Sequence, residues 1–151
     1  MTEKSGRGWR WKNVPVPEAH LILIGAGLVL GLVWPFDVAL PAWARILGWF
    51  AVLHGVVLSA WATSSAGSVD LEAPSRLVIG GPFAFSRHPM YLAWTVAFAG
   101  LGLVLSNLWF ALLLPILAAI VHLETGREEN RLHAVFGVEY DSYRSRVRRY
   151  L

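Results

Sequence analysis

An arginine and a histidine stand side by side at the beginning of a long apolar run, in the stretch GPFAFSRHPMY. Arg87 carries a permanent charge with five N–H donors, whereas His88 can donate, accept or exchange a proton near neutral pH. Phe83 and Tyr91 add aromatic surface on either side of this pair. The stretch therefore offers hydrogen-bond donors, a titratable ring and an apolar wall in one short segment.

The same stretch also has a purely structural explanation. Pro89 suits the first turn of a helix, because the N–H that proline lacks would be unpaired there in any case. Ser86 or His88 could cap that helix. Since this explanation does not require Arg87, His88 and Tyr91 together, both interpretations of the stretch stay open when it is taken alone.

A second polar segment, REENRLHAVFGVEYDSYRSRVRRYL, follows the last apolar run. Its apolar and tyrosine residues recur at helical spacing, and Gly137 is predicted to end or kink the first helical piece. The pattern predicts an amphipathic surface helix whose arginines face anionic lipid head groups: Arg144, Arg146, Arg148 and Arg149. It does not explain the acidic pair Glu128 and Glu129, which would lie on a face suited to acidic lipid.

The composition points to a membrane protein. The chain has 151 residues, which suits one domain, and 56% of them are hydrophobic while 15% are charged. Residues 21–36 and 46–63 contain no Asp, Glu, Lys or Arg. The absence of cysteine excludes disulfides, thiolate catalysis and cysteine metal sites. We therefore expect a single all-α integral membrane domain over residues 1–151.

Four apolar segments are predicted to be membrane-spanning helices, at about residues 19–34, 42–62, 89–106 and 107–123. Ser106-Asn107 is the sole break between the last two, so we expect a tight helical hairpin there. With four spans, the N-terminus, the 63–88 loop and the C-terminal tail share one side and hold 12 of the 13 Lys and Arg residues. The positive-inside rule places that side, with both termini, in the cytoplasm, which for a bacterial source means the inner membrane.

The remaining ionisable residues give weaker indications of a functional site. His54 lies in the middle of the second predicted span, where we expect a neutral ring hydrogen-bonded between helices. His122 and Glu124 fall at the cytoplasmic end of the fourth predicted span, and His20 and His133 are expected at the membrane interface. The five histidines have no metal-ligand spacing, so we predict no metal, and we expect no nucleic acid partner.

Taken together, the two polar segments resemble a known family. GPFAFSRHPMY, followed 37 residues after its tyrosine by EENRLHAVFGVEYDSY, is similar to the paired motifs GPYxxxRHPxYxG and EExxLxxxFGxEYxxY. These motifs are typical of integral-membrane methyltransferases that include isoprenylcysteine carboxyl methyltransferases and phospholipid N-methyltransferases. The resemblance covers about residues 64–150, and the first two predicted spans match only in being apolar.

The resemblance implies that the cofactor is S-adenosyl-L-methionine, bound at the cytoplasmic membrane surface, and that the substrate is a lipophilic small molecule taken from among the membrane lipids. It implies Glu128 as the cofactor-binding carboxylate. It also implies cofactor contacts from the RHPxY segment and lining from the preceding loop: His88, Pro89, Met90 and Tyr91, with Leu77, Val78 and Phe83.

An acceptor carboxylate would need no base, whereas an amine must lose a proton before methylation. Within this resemblance we expect Arg87 to supply donors and His88 or Glu129 to act as the base. Phe83 stands where the family usually has tyrosine, so one hydroxyl is missing. Glu124 stands where prenylcysteine-specific relatives carry a substrate-binding arginine, which weighs against a prenylcysteine carboxylate.

Two other functions stay open. A membrane reductase of the sterol type shows a similar RHPxY segment and would use NADPH, although the second motif and the short chain favour the methyltransferase. A non-catalytic membrane protein that keeps the fold is the other alternative, against which His88 and Glu128 weigh weakly.

Overall fold

A computed structural model describes residues 17–67, 69 and 74–150, so the N-terminal cations and residues 68 and 70–73 lie outside the described part. That part is helical and, within it, no strand is formed. The confirmed fold class is therefore all-α. The elements are α1 (Glu18–Val33), α2 (Ala42–Ala66), a short 3-10 turn (Gly81–Ala84), α3 (Pro89–Leu105), α4 (Leu108–Phe136) and α5 (Val138–Arg146).

Helices α2 and α4 are long and apolar enough to cross a membrane, and α1 and α3 are shorter apolar helices. Only 17% of the most apolar part of α2 and 22% of that of α4 is buried inside the protein. A core helix of a soluble protein would be mostly buried. Large apolar side chains instead cover the outer face of α2, among them Trp43, Trp49, Phe50, Leu53, Val57 and Trp61.

The main difference from the predicted elements concerns α4, which does not end near residue 123 but continues to Phe136. The acidic pair therefore belongs to α4 and not to a separate tail helix. Residues 124–136 are mostly good helix formers, and oppositely charged side chains three apart, such as Glu124 and Arg127, support the extension. The helix ends at Gly137, as predicted, where φ is 51° and glycine avoids a side-chain clash.

The predicted hairpin between α3 and α4 is confirmed at Ser106-Asn107. Ser106 ends α3 in the left-handed conformation, with φ of 54°. The side-chain carbonyl of Asn107 accepts a hydrogen bond from Trp109 N at 2.9 Å and so caps α4, while its amide donates to the backbone oxygen of Gly27 at 3.2 Å. One buried side chain therefore closes the hairpin and attaches it to α1.

Helices α2 and α3 approach each other closely because small residues face each other. A Cβ added at Gly48 would lie 2.7 Å from the backbone oxygen of Gly100, and one added at Gly55 would lie 2.5 Å from that of Ala93. Between α3 and α4 the core is apolar, formed by Phe98, Phe110, Leu117 and Val121. These contacts set the height at which α3 presents its first residues to α4.

Candidate active site

The candidate site lies where the loop before α3, the second half of α4 and the C-terminal tail meet. Pro89 begins α3, as predicted, and the backbone N–H of His88 donates to Ser86 Oγ at 3.2 Å. The His88 side chain makes no capping bond to α3. Its ring is therefore available to α4, towards which both ring nitrogens face.

Glu129 is the centre of a buried ionic network. Arg149 donates to it twice, from Nε to Oε1 at 2.8 Å and from Nη2 to Oε2 at 2.6 Å. Arg87 Nη1 lies 3.2 Å from Oε1, and His88 Nε2 donates to the same oxygen at 3.2 Å. Such a two-point arginine–carboxylate pair fixes geometry as well as charge.

The network keeps Glu129 ionised. Glu129 lies beyond the apolar part of α4, which ends at Leu123. Burial opposes ionisation, yet hydrogen bonds from Arg149 and the charge of Arg87 hold the pKa of the Glu129 carboxyl below its usual value. In turn, the hydrogen bond to Glu129 raises the pKa of the Arg149 guanidinium. The carboxylate is thus a weak base whose oxygens are already occupied.

Glu128 is placed differently from its neighbour. Its side chain is 36% exposed, against 4% for Glu129, and its Oε2 lies 3.6 Å from His88 Nδ1. The His88 ring is thus held between two carboxylates. The Tyr91 ring stands edge-on to His88, with 5.9 Å between ring centroids. Glu128 and Tyr91 therefore form the accessible side of the cluster, and Glu129 its buried side.

A third carboxylate stands one turn before Glu128 on the same helix, just after the apolar part of α4. Burial, and the nearby charges of Glu18 and Glu128, raise the pKa of the Glu124 carboxyl, while Arg127 lowers it in part. The first turn of α1 therefore lies close to this part of α4.

Of the residues predicted for the site, the structure brings together Arg87, His88, Tyr91, Glu128 and Glu129. Pro89 and Met90 are buried, and their contact with a ligand stays a prediction. Phe83 is half-buried, and its backbone oxygen accepts a hydrogen bond from Tyr143 Oη at 2.7 Å.

Two other predicted residues lie outside this cluster. Leu77 and Val78 are partly buried in the segment that leads into the Gly81–Ala84 turn. They take no part in the ionic network among the described residues, and their contact with a cofactor stays a prediction.

The C-terminal tail contributes residues that the sequence analysis did not assign to the site. The backbone N–H of Arg87 donates to the oxygen of Arg148 at 3.0 Å, and Ser86 Oγ donates to that of Arg149 at 3.2 Å. The expectation that Arg149 faces lipid is wrong, because its guanidinium turns inward to Glu129. Arg144, Arg146 and Arg148 are exposed, as expected.

Two tyrosines complete the tail's contacts. Tyr140, which is fully buried, receives a hydrogen bond from Arg87 Nη1 at 3.4 Å, and burial together with the charge of Glu129 raises its pKa. Tyr150 Oη shares a hydrogen bond with Thr125 Oγ1 at 3.0 Å. The helical spacing groups Tyr140 with the apolar residues of this segment, and its hydroxyl is the sign in the sequence that it needs a buried polar partner.

Three histidines lie outside the ionic network. The expectation that His54 lies between helices is wrong, because His54 is on the exposed face of α2. His20 is completely buried against α3, and its place at the membrane interface stays a prediction, as does that of His133. His133 is exposed and pairs with Asp141 at 3.0 Å, away from the site. Among the described residues no group of three or more potential metal ligands is assembled.

The groups present fit a ligand such as S-adenosyl-L-methionine, which combines positive charge, a carboxylate, hydroxyls and an aromatic base. Glu128 supplies a carboxylate whose oxygens are not consumed by an arginine. Arg87 Nε is buried and has no hydrogen-bond partner among the described residues, so it is a donor that a ligand can satisfy. Tyr91 and Phe83 supply half-buried aromatic surface.

A comparison with protein families finds a match over residues 43–139, to the family described as phospholipid methyltransferase. The matched region contains α2, α3, α4 and the loop that carries His88. It leaves out α1 and the tail arginines. No curated protein matches the chain.

Proposed function

The chain belongs to the phospholipid methyltransferase family, and from this premise we propose that it transfers a methyl group from S-adenosyl-L-methionine to a lipophilic acceptor at the membrane surface. The observation that carries the proposal is the pairing of His88 with Glu128, 3.6 Å apart across the α3–α4 hairpin. The family match supports methyl transfer, and the pairing supports a polar ligand site at the end of apolar helices.

When bound, the cofactor supplies an activated methyl group on a sulfonium. Glu128 would accept hydrogen bonds from its hydroxyl or ammonium groups, and Arg87 Nε would donate to its carboxylate. Tyr91 and Phe83 would cover its aromatic base. The predicted contacts of His88, Pro89 and Met90, and of Leu77 and Val78, remain part of this proposal.

Glu129 serves in this scheme as a positioning residue. Its oxygens are held by Arg149, Arg87 and His88, so it orients the His88 ring and anchors the tail instead of taking a proton. His88 itself has one ring nitrogen bonded to Glu129 and the other facing Glu128. The geometry therefore favours a cofactor-positioning role for His88 over that of a free base.

We also propose that all four apolar helices span the membrane, with the site and both termini on the cytoplasmic side. Helices α1 and α3 have 16 and 17 residues, or about 25 Å at 1.5 Å per residue, which suits a slightly thinned bilayer. The exposed arginines of the tail would contact anionic head groups, as the orientation by positive charge requires. In a bacterium the location would be the inner membrane.

A lipid amine is the acceptor that the site favours. The accessible side of the cluster carries the Glu124 and Glu128 carboxylates, which attract a cationic amine and repel an anionic carboxylate. The description of the matched family, phospholipid methyltransferase, agrees with this choice. A prenylcysteine-like carboxylate stays the alternative acceptor.

Ligand titration tests the proposed cofactor. The protein purified in detergent is titrated separately with S-adenosylhomocysteine and with NADPH while thermal unfolding is followed. We expect a rise in melting temperature with S-adenosylhomocysteine that is lost in Glu128→Gln and kept in Glu139→Gln, an exposed control on α5. Stabilisation by NADPH alone would support the sterol-type reductase, and stabilisation by neither ligand would support a non-catalytic protein.

The acceptor needs a second assay. Incubation of the protein with S-adenosyl-L-methionine carrying a labelled methyl group and a total lipid extract should transfer label to amine-bearing lipids. Transfer to acidic, prenylated species instead would identify the carboxylate alternative.

A further inference from the structure

A completely buried histidine lies just behind the candidate site, on a helix that the family match does not cover. His20 is in the first turn of α1 and is 0% exposed. Its ring centroid is 6.4 Å from that of Tyr91, and the His88 centroid is 5.9 Å from the same tyrosine ring. Tyr91 is thus a neighbour of both histidines and links His20 to the site.

The hydrogen bonds around His20 determine which ring nitrogen carries the proton. Thr95 Oγ1 donates its single hydrogen to the backbone oxygen of Tyr91 at 2.8 Å. The same oxygen is 3.0 Å from His20 Nε2 and has only acceptor capacity left for it. Neutral His20 must therefore carry its hydrogen on Nε2, which leaves a lone pair on Nδ1.

That lone pair has no partner. His20 Nδ1 is buried and, in the part of the chain that the structure describes, accepts no hydrogen bond. The Nε1–H of Trp94 is also buried and donates no hydrogen bond within the described residues, and the Trp94 ring centroid is 6.4 Å from that of His20. Buried polar groups are nearly always paired, so an unpaired acceptor beside an unpaired donor calls for a ligand that offers both kinds of group.

We propose that His20 is the base of this enzyme, with Nδ1 accepting a hydrogen bond from the N–H of a lipid amine and taking up its proton. The Trp94 Nε1–H would bind an oxygen of the same head group. The N–H bond of the ammonium breaks and an Nδ1–H bond forms, so the amine becomes neutral and His20 becomes an imidazolium that later releases the proton to water. This role rests on the proposed function.

His20 suits this role better than the two residues expected from the sequence. Both nitrogens of His88 face carboxylates, with Nε2 donating to Glu129, and Glu129 itself is held by two arginines. His20 Nδ1 has no hydrogen-bond partner in the described part of the chain, and Thr95 fixes the tautomer of its ring.

The test uses the full-length protein in detergent with dioleoyl phosphatidylethanolamine as the probe. His20→Gln keeps an N–H donor for Thr95 and lacks the base. We expect it to bind S-adenosylhomocysteine as the wild type does while methylation at pH 7 falls about 100-fold, the usual contribution of a general base. Its rate should recover as the pH approaches the pKa of the amine, and added imidazole should restore part of the rate in His20→Ala. His54→Gln, on the exposed face of α2, is the matched control and should behave as the wild type.

A measurement without turnover tests the tautomer. Nitrogen-15 spectra of histidine-labelled protein, assigned by their difference from His20→Gln, should show neutral His20 protonated on Nε2, and Thr95→Val should release this preference. An Nδ1–H tautomer in the wild type, an unchanged rate in His20→Gln, or methylation confined to carboxylate acceptors would overturn the inference. If the wild type does not bind S-adenosylhomocysteine at all, the proposed function itself is wrong.

Discussion

The two ends of the helical bundle use buried polar residues in opposite ways. At the end that contains the α3–α4 turn, neutral groups bind backbone: Asn107 caps α4 and holds Gly27, and Trp109 Nε1 donates to the oxygen of Trp34 at 2.8 Å. At the other end, charged groups bind one another around Glu129. Neutral bonds to backbone fasten elements together, whereas a charged cluster with spare donors also offers a place for a polar ligand.

The two ends also differ in the groups that they offer to a ligand. Beside Asn107 there is a cavity of about 280 Å³ with a mainly apolar lining that includes Val38, Leu40, Leu103, Phe110 and Leu114. At the charged end the unpaired atoms of Arg87, His20 and Trp94 mark polar binding capacity. The comparison predicts that substitutions at the first end change stability alone, and that loss of the Glu129 carboxylate at the second end changes stability and ligand binding together.

The largest effect is expected for Glu129→Ala at the charged end. Removal of the carboxylate leaves Arg87 buried without its anion and frees Arg149, and breaking such a buried network costs about 3 kcal/mol. Thermal unfolding in detergent should show a melting temperature lowered by several degrees, and S-adenosylhomocysteine binding should weaken because His88 loses its orientation. Glu139→Ala on the exposed face of α5 is the control; an equal melting temperature for the two variants would contradict the central place of Glu129.

Asn107→Ala should have the next largest effect, at the neutral end. The variant loses a helix cap and the bond to Gly27, which together are worth about 1–2 kcal/mol. The melting temperature should fall, while the dissociation constant for S-adenosylhomocysteine, measured where the protein is still folded, should not change. A weakened affinity would show that the two ends are coupled and would contradict the division of roles between them.

Arg149→Lys, at the charged end, should have a smaller effect on stability. Lysine keeps the charge but cannot make the two-point contact with Glu129, and since the Arg149 side chain is 28% exposed the loss is about 0.5–1 kcal/mol. We expect limited proteolysis to cut the tail faster than in the wild type. Cleavage elsewhere in the chain should not change. Arg146→Lys, exposed on α5, provides the matched comparison, and equal proteolysis rates would show that the Arg149–Glu129 contact does not hold the tail.

The smallest expected effect is a pH dependence that comes from Glu129. Because its folded-state pKa lies below the ordinary value of 4.5, its contribution to stability is complete above that value and is lost as the pH falls below it. The difference in melting temperature between the wild type and Glu129→Gln should therefore shrink as the pH is lowered from about 5.5 to about 3.5. A difference that stays constant over this range would mean that the folded and unfolded pKa values of Glu129 are equal.

Much of the fold could be predicted from local sequence. Apolar runs, together with Pro89 and Ser106-Asn107, predict the ends of α3 and the turn to α4, and Gly137 predicts where the following helix ends. These residues act through their own backbone preferences. The continuation of α4 to Phe136 differs from the prediction, because the change from apolar to charged residues predicts the end of a membrane span but not the end of a helix. The helix continues past the apolar segment because charge does not break helical hydrogen bonding.

The candidate site was predicted in part. The two motifs indicated that Arg87, His88, Tyr91, Glu128 and Glu129 belong together, and the α3–α4 hairpin explains why they meet. Sequence could not tell which of two adjacent glutamates is buried, because neighbours on a helix differ by about 100° in direction and only the packing of α4 decides between them. It also could not place Arg149, which reaches the site by a fold-back of the tail.

By itself, the sequence determined an all-helical, largely apolar chain with a hairpin and two polar segments at one end, because composition and backbone preference act within a few residues. Only the tertiary structure decided that Glu129 is enclosed by Arg87 and Arg149 while Glu128 stays accessible. It alone brought His20 to Thr95, 75 positions away in the chain, and left one of its ring nitrogens unpaired. Those pairings depend on the rotation and height of packed helices, which no local pattern encodes.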